Sequence, residues 1–462
     1  MIKNDTIIAL ATPSGVGAIA VIRLSGENAI TIVDAFFKSI KQGKSLQSQK
    51  THTIHLGHIV NNDTILDEVL VSIFKNPNSY TGENVVEISC HGSSFIQQEI
   101  IQLFLQNGCR MADNGEFTMR AFLNGKMDLS QAEAVADVIA SNSQASHQMA
   151  IQQMRGGISN ELKELRSQLL DFAALIELEL DFSGEDVEFA DRTKFKELVT
   201  KITFVLKRLI DSFSFGNALK KGIPVAIIGE PNVGKSTLLN ALLNEEKAIV
   251  SDIAGTTRDA IEDEIIIDGV AFRFIDTAGI RETKDVVETI GIKKAYEKAE
   301  NAQLIIFLID SRIERQEKRK EEIELIKQRF PNKRLLVVAN KIDLVSNEDT
   351  QNLISDIENL IPLSAKNKTG LETLKKELTS LVNIGALSNN ETIVTNSRHF
   401  EALNNALIAI KSVQQGIDLE ISTDLFSIDI RECLQHLGTI TGDYDVDKDI
   451  LGHIFSNFCI GK

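Results

Sequence analysis

The sequence predicts a multidomain protein of the α+β and α/β classes, and three observations support this. The chain has 462 residues, too many for one hydrophobic core, and its 43% hydrophobic and 25% charged content is typical of folded proteins. A proline-free helical period runs from Ser130 to Asp211, between a mixed region and a region where strands and helices alternate. The helical period then returns near the end of the chain. An α/β domain inserted into a helical domain explains this order most simply.

The individual elements follow from periodicity. Two strands and one helix are predicted in the first region, at 18–24, 69–74 and 94–106. Apolar residues at spacings of three and four predict helices at 132–139, 162–180, 400–413 and 424–437. Glycine-containing or polar breaks at 216–222 and 385–391 mark the two junctions of the insertion. The predicted domains are an N-terminal mixed α/β domain, a discontinuous helical domain and an inserted α/β domain, over 1–125, 126–219 with 385–462, and 220–384, respectively.

Charge, cysteine content and hydropathy limit where the protein works. A net charge of −16 argues against a protein that coats nucleic acid non-specifically, although a local basic patch or a partner could still hold an RNA. Four cysteines without metal-type spacing favour reduced cytosolic thiols. The longest purely apolar stretch, 304–309, is far too short to cross a membrane, and the N-terminus has no signal pattern. We therefore expect a cytoplasmic protein without a membrane segment.

A phosphate-binding loop lies at the start of the alternating region. Gly229-Glu230-Pro231-Asn232-Val233-Gly234-Lys235-Ser236 stands between an apolar strand and a predicted helix, as the mechanism of this motif requires. The glycines let successive backbone N–H groups point at phosphates. Lys235 supplies positive charge near the β- and γ-phosphates, and the Ser236 hydroxyl suits Mg²⁺.

Three further segments follow in the order of a guanine-nucleotide site. Asp276-Thr277-Ala278-Gly279 follows a strand. There the aspartate can hold the second shell of Mg²⁺, and the Gly279 N–H can donate to the γ-phosphate. Asn340-Lys341-Ile342-Asp343 ends another strand, and the Asp343 carboxylate can accept hydrogen bonds from the N1 and 2-amino groups of guanine. Ser364-Ala365-Lys366 offers a backbone contact to the guanine carbonyl. Together the segments predict that the chain binds GTP.

The residues that would cleave GTP are less regular. Ile280 stands where small signalling GTPases carry a water-orienting glutamine, and its side chain cannot form a hydrogen bond. Asn232 has a side-chain carbonyl where a monovalent cation could bridge the phosphates, and the segment 251–256 offers further oxygens. A second interpretation of Asn232 is that it only stabilises the turn, since asparagine is a common turn residue.

Over its whole length the chain resembles the MnmE (TrmE) family, bacterial tRNA-modification GTPases with an inserted P-loop GTPase domain and a Ras-like sheet. The GTPase motifs, including Ile253-Ala254-Gly255-Thr256-Thr257-Arg258-Asp259, also resemble those of the Era and EngA proteins. Three segments outside that domain distinguish MnmE from them: Phe122-Leu123-Asn124-Gly125-Lys126-Met127-Asp128-Leu129, Gln131-Ala132-Glu133-Ala134 and Cys459-Ile460-Gly461-Lys462.

The resemblance implies a reaction and partners. The family acts with the FAD-dependent protein MnmG on carbon 5 of the wobble uridine of certain tRNAs, adding an aminomethyl or carboxymethylaminomethyl group. The one-carbon unit comes from 5,10-methylene- or 5-formyl-tetrahydrofolate in the N-terminal domain. The chain is expected to be a homodimer through that domain, and a heterotetramer with two copies each of itself and MnmG. The folate residues implied are Arg23, Glu87, Lys126 and Lys462. Without the resemblance, Arg23 is a charged residue ending a strand and Lys126 a turn cation.

The resemblance also implies a set of nucleotide and metal ligands. Mg²⁺ is held by Ser236 and Thr257, and Glu288 is the catalytic residue that orients water, alongside Lys235. Glu288 could otherwise be a solvated glutamate at a helix start. The K⁺ ligands implied are Asn232, Ser251, Ile253 and Thr256. The implied GTP-binding set is Asn232, Val233, Gly234, Lys235, Ser236, Thr237, Ser251, Asp252, Ile253, Ala254, Gly255, Thr256, Thr257, Asp276, Thr277, Ala278, Gly279, Asn340, Lys341, Ile342, Asp343, Ser364, Ala365 and Lys366.

Two questions stay open at this stage. Cys459 is either a small buried residue that packs the C-terminus or a reactive thiol beside the folate site. Cys90 and His91 are adjacent on a strand and therefore point to opposite faces, which excludes a thiol–imidazole pair.

The second open question is the function class. The alternative function is a GTP-switched ribosome-assembly or RNA-binding GTPase without one-carbon chemistry, which would be expected to carry a basic RNA-binding module.

Overall fold

The computed structural model describes residues 5–181, 191–246, 263–275, 297, 299–312, 316–380, 392–419, 421, 423–443, 454–455, 458–459 and 461, with backbone alone at 179–181, 244–246, 316–318 and 423–426. The chain divides into two compact units. The first comprises Met1–Ala136, Gln153–Leu206 and Glu401–Lys462. The second comprises Asp137–Gln152 and Lys207–Phe400.

A mostly antiparallel sheet forms the centre of the first unit. Its strands are β1 Thr6–Leu10, β2 Ile19–Ser25, β3 Phe37–Ser39, β4 Thr53–Asn61, β5 Thr64–Phe74, β6 Val85–His91 and β7 Cys109–Met111. Within the described residues they pair in the order β3-β4-β5-β6-β2-β1-β7, and only β1 and β7 run parallel. The helices α1 Ala29–Phe36 and α2 Ser94–Gln106 cover one face, where Val33 and Phe104 pack against Ile22 and Ile88.

The other face of this sheet carries polar and exposed apolar side chains. Alternation along β5 buries Val69, Val71 and Ile73 on the helix side and leaves Leu70 exposed on the opposite side. Leu70 is paired across the strands with the exposed Leu56, while Arg23 pairs with Glu87 farther along the sheet. This surface will be called the open face.

Helix α3 (Glu116–Leu123) is fixed to the first unit by a buried charge network. The Arg120 guanidinium, 2% exposed, forms ion pairs with Asp5, Glu83 and Glu116 at 2.6, 3.2 and 2.9 Å. Arg110 joins the same network through Asp5 and Glu116. Burial by itself raises the pKa of Glu116, but hydrogen bonds from Arg110, the Asp113 amide and Arg120 hold it below its ordinary value.

The helical segments are longer than the periodicity indicated. They are α4 Leu129–Ala140, α5 Gln144–Met154, α6 Gly157–Asp181, α7 Arg192–Lys221, and, later in the chain, Ser397–Asp418 and Thr423–Thr441. Helix α4 begins with a capping box, because Asp128 and Gln131 each accept a hydrogen bond from the other's backbone N–H at 3.0 Å. None of the helices among the described residues has both the length and the apolar character needed to span a membrane.

The second unit contains a mostly parallel sheet. Its strands are β8 Ile223–Gly229, β9 Asp263–Ile267, β10 Val270–Phe274, β11 Leu304–Asp310, β12 Arg334–Asn340 and β13 Ile361–Pro362. Their order among the described residues is β13-β12-β11-β8-β10-β9, with only β9 antiparallel. The helices beside it are α8 Lys235–Glu246, α9 Gln316–Arg329, α10 Asn347–Asp356 and α11 Leu371–Ser380. The helices Ser397–Asp418 and Thr423–Thr441 are accordingly α12 and α13.

Both faces of this sheet are buried, as is usual for parallel strands. Every residue of β11 is buried. Its even-numbered apolar residues, such as Ile306, pack with α8 and α11 on one side, and its odd-numbered ones, such as Phe307, pack with α9 and α10 on the other. The carboxyl ends of β8, β11 and β12 therefore meet at one edge, where the phosphate-binding loop begins.

Two expectations need correction. The predicted break at 216–222 is confined to Gly222, because α7 continues to Lys221 and β8 begins at Ile223. Gly216 lies in the helix, where a Cβ would collide with the Val394 backbone. Absence of a side chain there allows close packing, so this glycine does not signal a loop. The interleaved charges at 312–324 also predict a solvated helix, but this is only partly right, since Arg319 is 6% exposed and donates to the Asp310 carbonyl. The other junction, around Ser388, lies outside the described residues.

Candidate functional site

The phosphate-binding loop connects β8 to α8 and curves around the Lys235 ammonium. That group donates hydrogen bonds to the carbonyl oxygens of Gly229 and Glu230 at 2.8 and 2.9 Å. Asn232 adopts a left-handed backbone conformation with φ of 61°, and Gly234 has φ of 104°. A Cβ at Gly234 would collide with the amide of Asn340, so both the conformation and the space require glycine.

Asn340 joins this loop to the last predicted nucleotide-reading segment. Its side chain is 2% exposed, and its amide N–H donates to the Val233 carbonyl at 2.8 Å. Its amide oxygen accepts from the Ala365 backbone N–H at 2.9 Å. The Ala365 N–H, which belongs to the segment predicted to contact the guanine carbonyl, thus helps to hold the two loops together.

Lys341 and Asp343 lie in the turn after β12. Lys341 is in the left-handed region, with φ of 67°, and its ammonium donates to the Asn232 carbonyl at 2.6 Å. The Asp343 carboxylate is exposed and accepts a hydrogen bond from the Ser364 hydroxyl at 2.6 Å. The structure therefore brings the phosphate loop together with the segments at 340–343 and 364–366, both of which follow it by more than a hundred residues in sequence.

The remaining predicted nucleotide and metal residues fall outside the described part of the chain. They are Ser251, Asp252, Ile253, Ala254, Gly255, Thr256, Thr257, Asp276, Thr277, Ala278, Gly279 and Glu288. Among the predicted folate residues, Lys462 also lies outside it.

Arg23 and Glu87, two of the predicted folate residues, are cross-strand neighbours on the open face. The guanidinium donates twice to one Glu87 oxygen, at 2.9 Å from Nε and 2.7 Å from the terminal nitrogen. The guanidinium carbon also lies 5.4 Å from the Tyr80 ring centroid and 5.8 Å from that of Phe117. Arg23 is thus held between a carboxylate and two aromatic rings.

Lys126 follows α3 and contacts the loop that connects β5 to β6. Its ammonium donates to the Pro77 carbonyl at 3.0 Å, and its methylene stem passes close to Gly82. The same loop carries Tyr80, whose ring faces Arg23. One loop therefore contacts both Lys126 and Arg23.

The end of the chain lies on this part of the first unit. The Gly461 carbonyl accepts a hydrogen bond from Arg23 at 3.5 Å, and the Cys459 carbonyl accepts one from the Gly115 N–H at 3.4 Å. Phe455 and Phe458 anchor the segment in a buried cluster with Leu129 and other residues of α4. The Cys459 side chain is exposed, so the interpretation that it packs in the interior is wrong.

Two family models match the chain. One, described as "GTP-binding protein TrmE N-terminus", matches residues 6–126, and one described as "MnmE helical domain" matches residues 129–459. The tRNA modification GTPase MnmE of Flavobacterium johnsoniae is 64% identical and that of Bacteroides thetaiotaomicron 52% identical, each over 100% of both chains. The chain belongs to the MnmE family.

A solved structure titled as Era in complex with MgGDPNP and nucleotides of 16S ribosomal RNA is 36% identical to the chain. The match covers 34% of this chain and 55% of the Era chain, with a TM-score of 0.25. The MnmE relatives, which match over the full length, identify the protein as a GTP hydrolase of tRNA modification. GTPases of this class cleave the nucleotide with Mg²⁺.

One polar pair in this MnmE-family chain was not found by sequence reasoning. The Asp67 carboxylate, 8% exposed, accepts hydrogen bonds from the His91 backbone N–H and ring Nδ1, both at 2.7 Å. Cys90 points to the opposite, buried face, which confirms that it does not pair with His91. Burial, with the nearby Asp67 charge, raises the pKa of Cys90 to about 11, so this thiol is inert at neutral pH. No local sequence signal marks this pair, because Asp67 and His91 are 24 positions apart and lie on different strands.

Proposed function

We propose that the protein is a K⁺-dependent GTPase that acts with the FAD-carrying partner MnmG in the cytoplasm. Together they modify carbon 5 of the wobble uridine of certain tRNAs with a one-carbon unit from 5,10-methylene- or 5-formyl-tetrahydrofolate. The observation that carries this proposal is the contact of the C-terminal tail with Arg23, beside Glu87. The tail segment typical of MnmE thus contacts Arg23, one of the four residues proposed to bind folate, next to its ion pair with Glu87.

The chemistry around Arg23 fits a folate. A carboxylate such as Glu87 accepts hydrogen bonds from the N–H and amino groups of a pterin, and Arg23, Lys126 and Lys462 suit the glutamate carboxylates. Tyr80 and Phe117 add flat apolar surface next to the ion pair. In this arrangement Glu87 orients the pterin, while the folate, when bound, supplies the one-carbon unit. Cys459, exposed near the tail's end, is the thiol available for a role in that chemistry.

A folate titration of the full chain tests this assignment. Glu87→Gln should weaken binding of reduced folate by roughly 10-fold or more, the effect of losing a charged hydrogen-bond acceptor. Glu68→Gln is the matched control, because Glu68 is a more exposed carboxylate on β5 and should leave affinity unchanged. If the wild-type chain binds no reduced folate, an RNA-binding GTPase without one-carbon chemistry becomes the better interpretation.

The proposed K⁺ site is centred on Asn232. Its side chain is exposed, and its left-handed backbone is held by Lys341, so this residue is fixed in a turn while its amide remains accessible to a cation. Ser251, Ile253 and Thr256 would supply the other K⁺ ligands, and Ser236 and Thr257 would hold Mg²⁺. A bound cation would provide the positive charge that an arginine finger supplies elsewhere, a contribution worth roughly 10³–10⁵ in rate.

Glu288 is proposed to orient the attacking water, because Ile280 cannot. Glu288→Ala should lower kcat with little change in GTP affinity, whereas Glu282→Ala in the same segment should change neither. Replacing K⁺ by Na⁺, which fits the same oxygens poorly, should lower the wild-type kcat. Equal turnover in the two salts, or an unimpaired Glu288→Ala enzyme, would refute this mechanism.

The open face supports the proposed homodimer through the N-terminal domain, in a heterotetramer with two MnmG chains. Ile54, Leu56 and Leu70 are 67%, 45% and 45% exposed there, an apolar surface of the kind found at interfaces. Leu56→Glu should give a monomer by analytical ultracentrifugation. Leu105→Glu, at an exposed apolar position on α2, should leave the dimer intact.

The proposed domain boundaries remain 1–125, 126–219 with 385–462, and 220–384. In this organisation the helical domain delivers the tail to the folate site. Deleting Cys459–Lys462 should abolish tRNA modification and leave GTP binding intact. A truncated protein that still modifies tRNA would show that the tail has no such role.

A further inference from the structure

Asp310, at the carboxyl end of β11, is a buried carboxylate that no nucleotide motif includes. Its side chain is 6% exposed and accepts a hydrogen bond from the Lys341 ammonium at 2.7 Å. The Arg312 guanidinium donates to its two oxygens at 3.0 and 2.8 Å. The backbone of Asp310 is fixed too, because the buried Arg319 guanidinium donates to its carbonyl at 2.7 Å.

The charge of Asp310 is firmly maintained. Burial alone raises the pKa of this carboxyl, but hydrogen bonds from Arg312 and Lys341 together hold it well below its ordinary value. Asp310 is therefore a fixed anion at neutral pH, beside the turn predicted to read guanine.

Lys341 connects this anion to the phosphate-binding loop. The same ammonium that pairs with Asp310 donates to the Asn232 carbonyl at 2.6 Å. Both Lys341 and Asn232 have left-handed backbones, a conformation that costs free energy in residues other than glycine unless neighbouring contacts stabilise it. The contacts from Asp310 to Lys341 and from Lys341 to Asn232 are thus in a position to stabilise both turns.

We propose that Asp310 is a positioning residue for the nucleotide site, which holds Lys341 against Asn232 and so couples the guanine-reading turn to the phosphate-binding loop. Without the carboxylate, Lys341 retains the Asn232 carbonyl but loses its anionic anchor, and the loop conformation that binds nucleotide becomes less populated. The apparent dissociation constant rises in proportion to that loss of population. The part of the proposal that concerns K⁺ rests on the proposed cation site at Asn232.

Arg312 offers a matched control for Asp310. It is the other partner of the same carboxylate, but its side chain is 49% exposed, and no contact to the phosphate loop is recorded for it among the described residues. Arg312→Gln therefore removes an ion pair of Asp310 and keeps the contact to Lys341. An ion pair whose cation is half exposed to solvent is screened and contributes little.

The decisive experiment is a double-mutant cycle on the full chain, with GDP affinity measured by a fluorescent analogue. Asp310→Asn should raise the dissociation constant roughly 10–100-fold, the range for a hydrogen bond to a charged group, and Arg312→Gln by less than about 3-fold. If Asp310 acts through Lys341, the variant with both Asp310→Asn and Lys341→Met should bind GDP within about 2-fold of Lys341→Met alone. Additive losses, or equal effects of Asp310→Asn and Arg312→Gln, would overturn the proposal.

Two further measurements keep the outcome unambiguous. If Asp310→Asn does not fold, judged by circular dichroism, Asp310→Glu replaces it, and a loss of GDP affinity that is additive with Lys341→Met again refutes the coupling. The K⁺ concentration for half-maximal turnover should rise at least about 3-fold in Asp310→Asn, because Asn232 is held less well. A wild-type enzyme indifferent to K⁺ would refute the proposed cation site, while the GDP cycle would still decide the role of Asp310.

Discussion

Asn340→Ala should damage both the stability of the second unit and its nucleotide affinity. The side chain satisfies two buried backbone groups, the Val233 carbonyl and the Ala365 N–H, in residues that are 2% and 3% exposed. Each buried group left without a partner costs roughly 1–3 kcal/mol, so the loss for two groups is roughly 2–6 kcal/mol. The two groups belong to different loops of the predicted nucleotide site, so the same change should also loosen that site.

The assay combines urea unfolding, followed by circular dichroism, with the dissociation constant of a fluorescent GDP analogue. A loss of 2 kcal/mol in loop organisation corresponds to a dissociation constant roughly 30-fold higher. Asn340→Asp separates the two hydrogen bonds, because a carboxylate still accepts from Ala365 but faces the Val233 carbonyl with negative charge. It should lower GDP affinity even though one bond survives.

The control is Asn352→Ala, at an exposed position of α10. Its effect should stay within about 0.5 kcal/mol, as for most surface substitutions. If Asn340→Ala binds GDP within about 3-fold of wild type, these hydrogen bonds do not organise the site, and the reasoning fails.

Three further predictions follow from other contacts. Asp343→Asn should shift preference from GTP toward XTP, whose 2-oxo group needs a donor; unchanged GTP affinity with no gain for XTP would show that Asp343 does not read guanine. Arg120→Met should destabilise the first unit by about 3–5 kcal/mol, because it removes the buried cation that pairs with Asp5, Glu83 and Glu116 and leaves their negative charges only partly compensated. The pKa values of Asp5 and Glu116 are held below their ordinary values of 3.8 and 4.5, so both carboxylates stabilise the fold at higher pH, and this stabilisation is lost as the pH falls through the lowered pKa values. The free energy of unfolding should therefore depend less steeply on acid pH in Arg120→Met than in wild type. Gly461→Ala should reduce tRNA modification while GTP hydrolysis persists, because φ is 99° and a Cβ would collide with the Leu10 carbonyl; normal modification would show that the docked tail is dispensable.

The sequence predicted the elements whose signals are local. Helix α2 was predicted with the bounds that it has, and the phosphate loop lies between a strand and a helix as its motif requires. These features depend on short-range periodicity and on glycine conformations at positions 229 and 234. Gly216 shows the limit of such local signals, because glycine is needed there for the close approach of the Val394 backbone, which is far away in sequence.

The residue types and their spacing were enough to predict a GTP site and to recognise the segments typical of MnmE. A phosphate loop or a guanine-reading aspartate works through particular residues at fixed short spacings, and these are visible in the sequence. Only the tertiary structure decided the partners of those residues. Arg23 meets Glu87 through strand register and Gly461 across 438 positions, and Lys341 meets both Asp310 and Asn232. The physical reason is that a charged side chain is stabilised by whichever group the packed backbone brings within hydrogen-bond distance, and a linear sequence does not contain that distance.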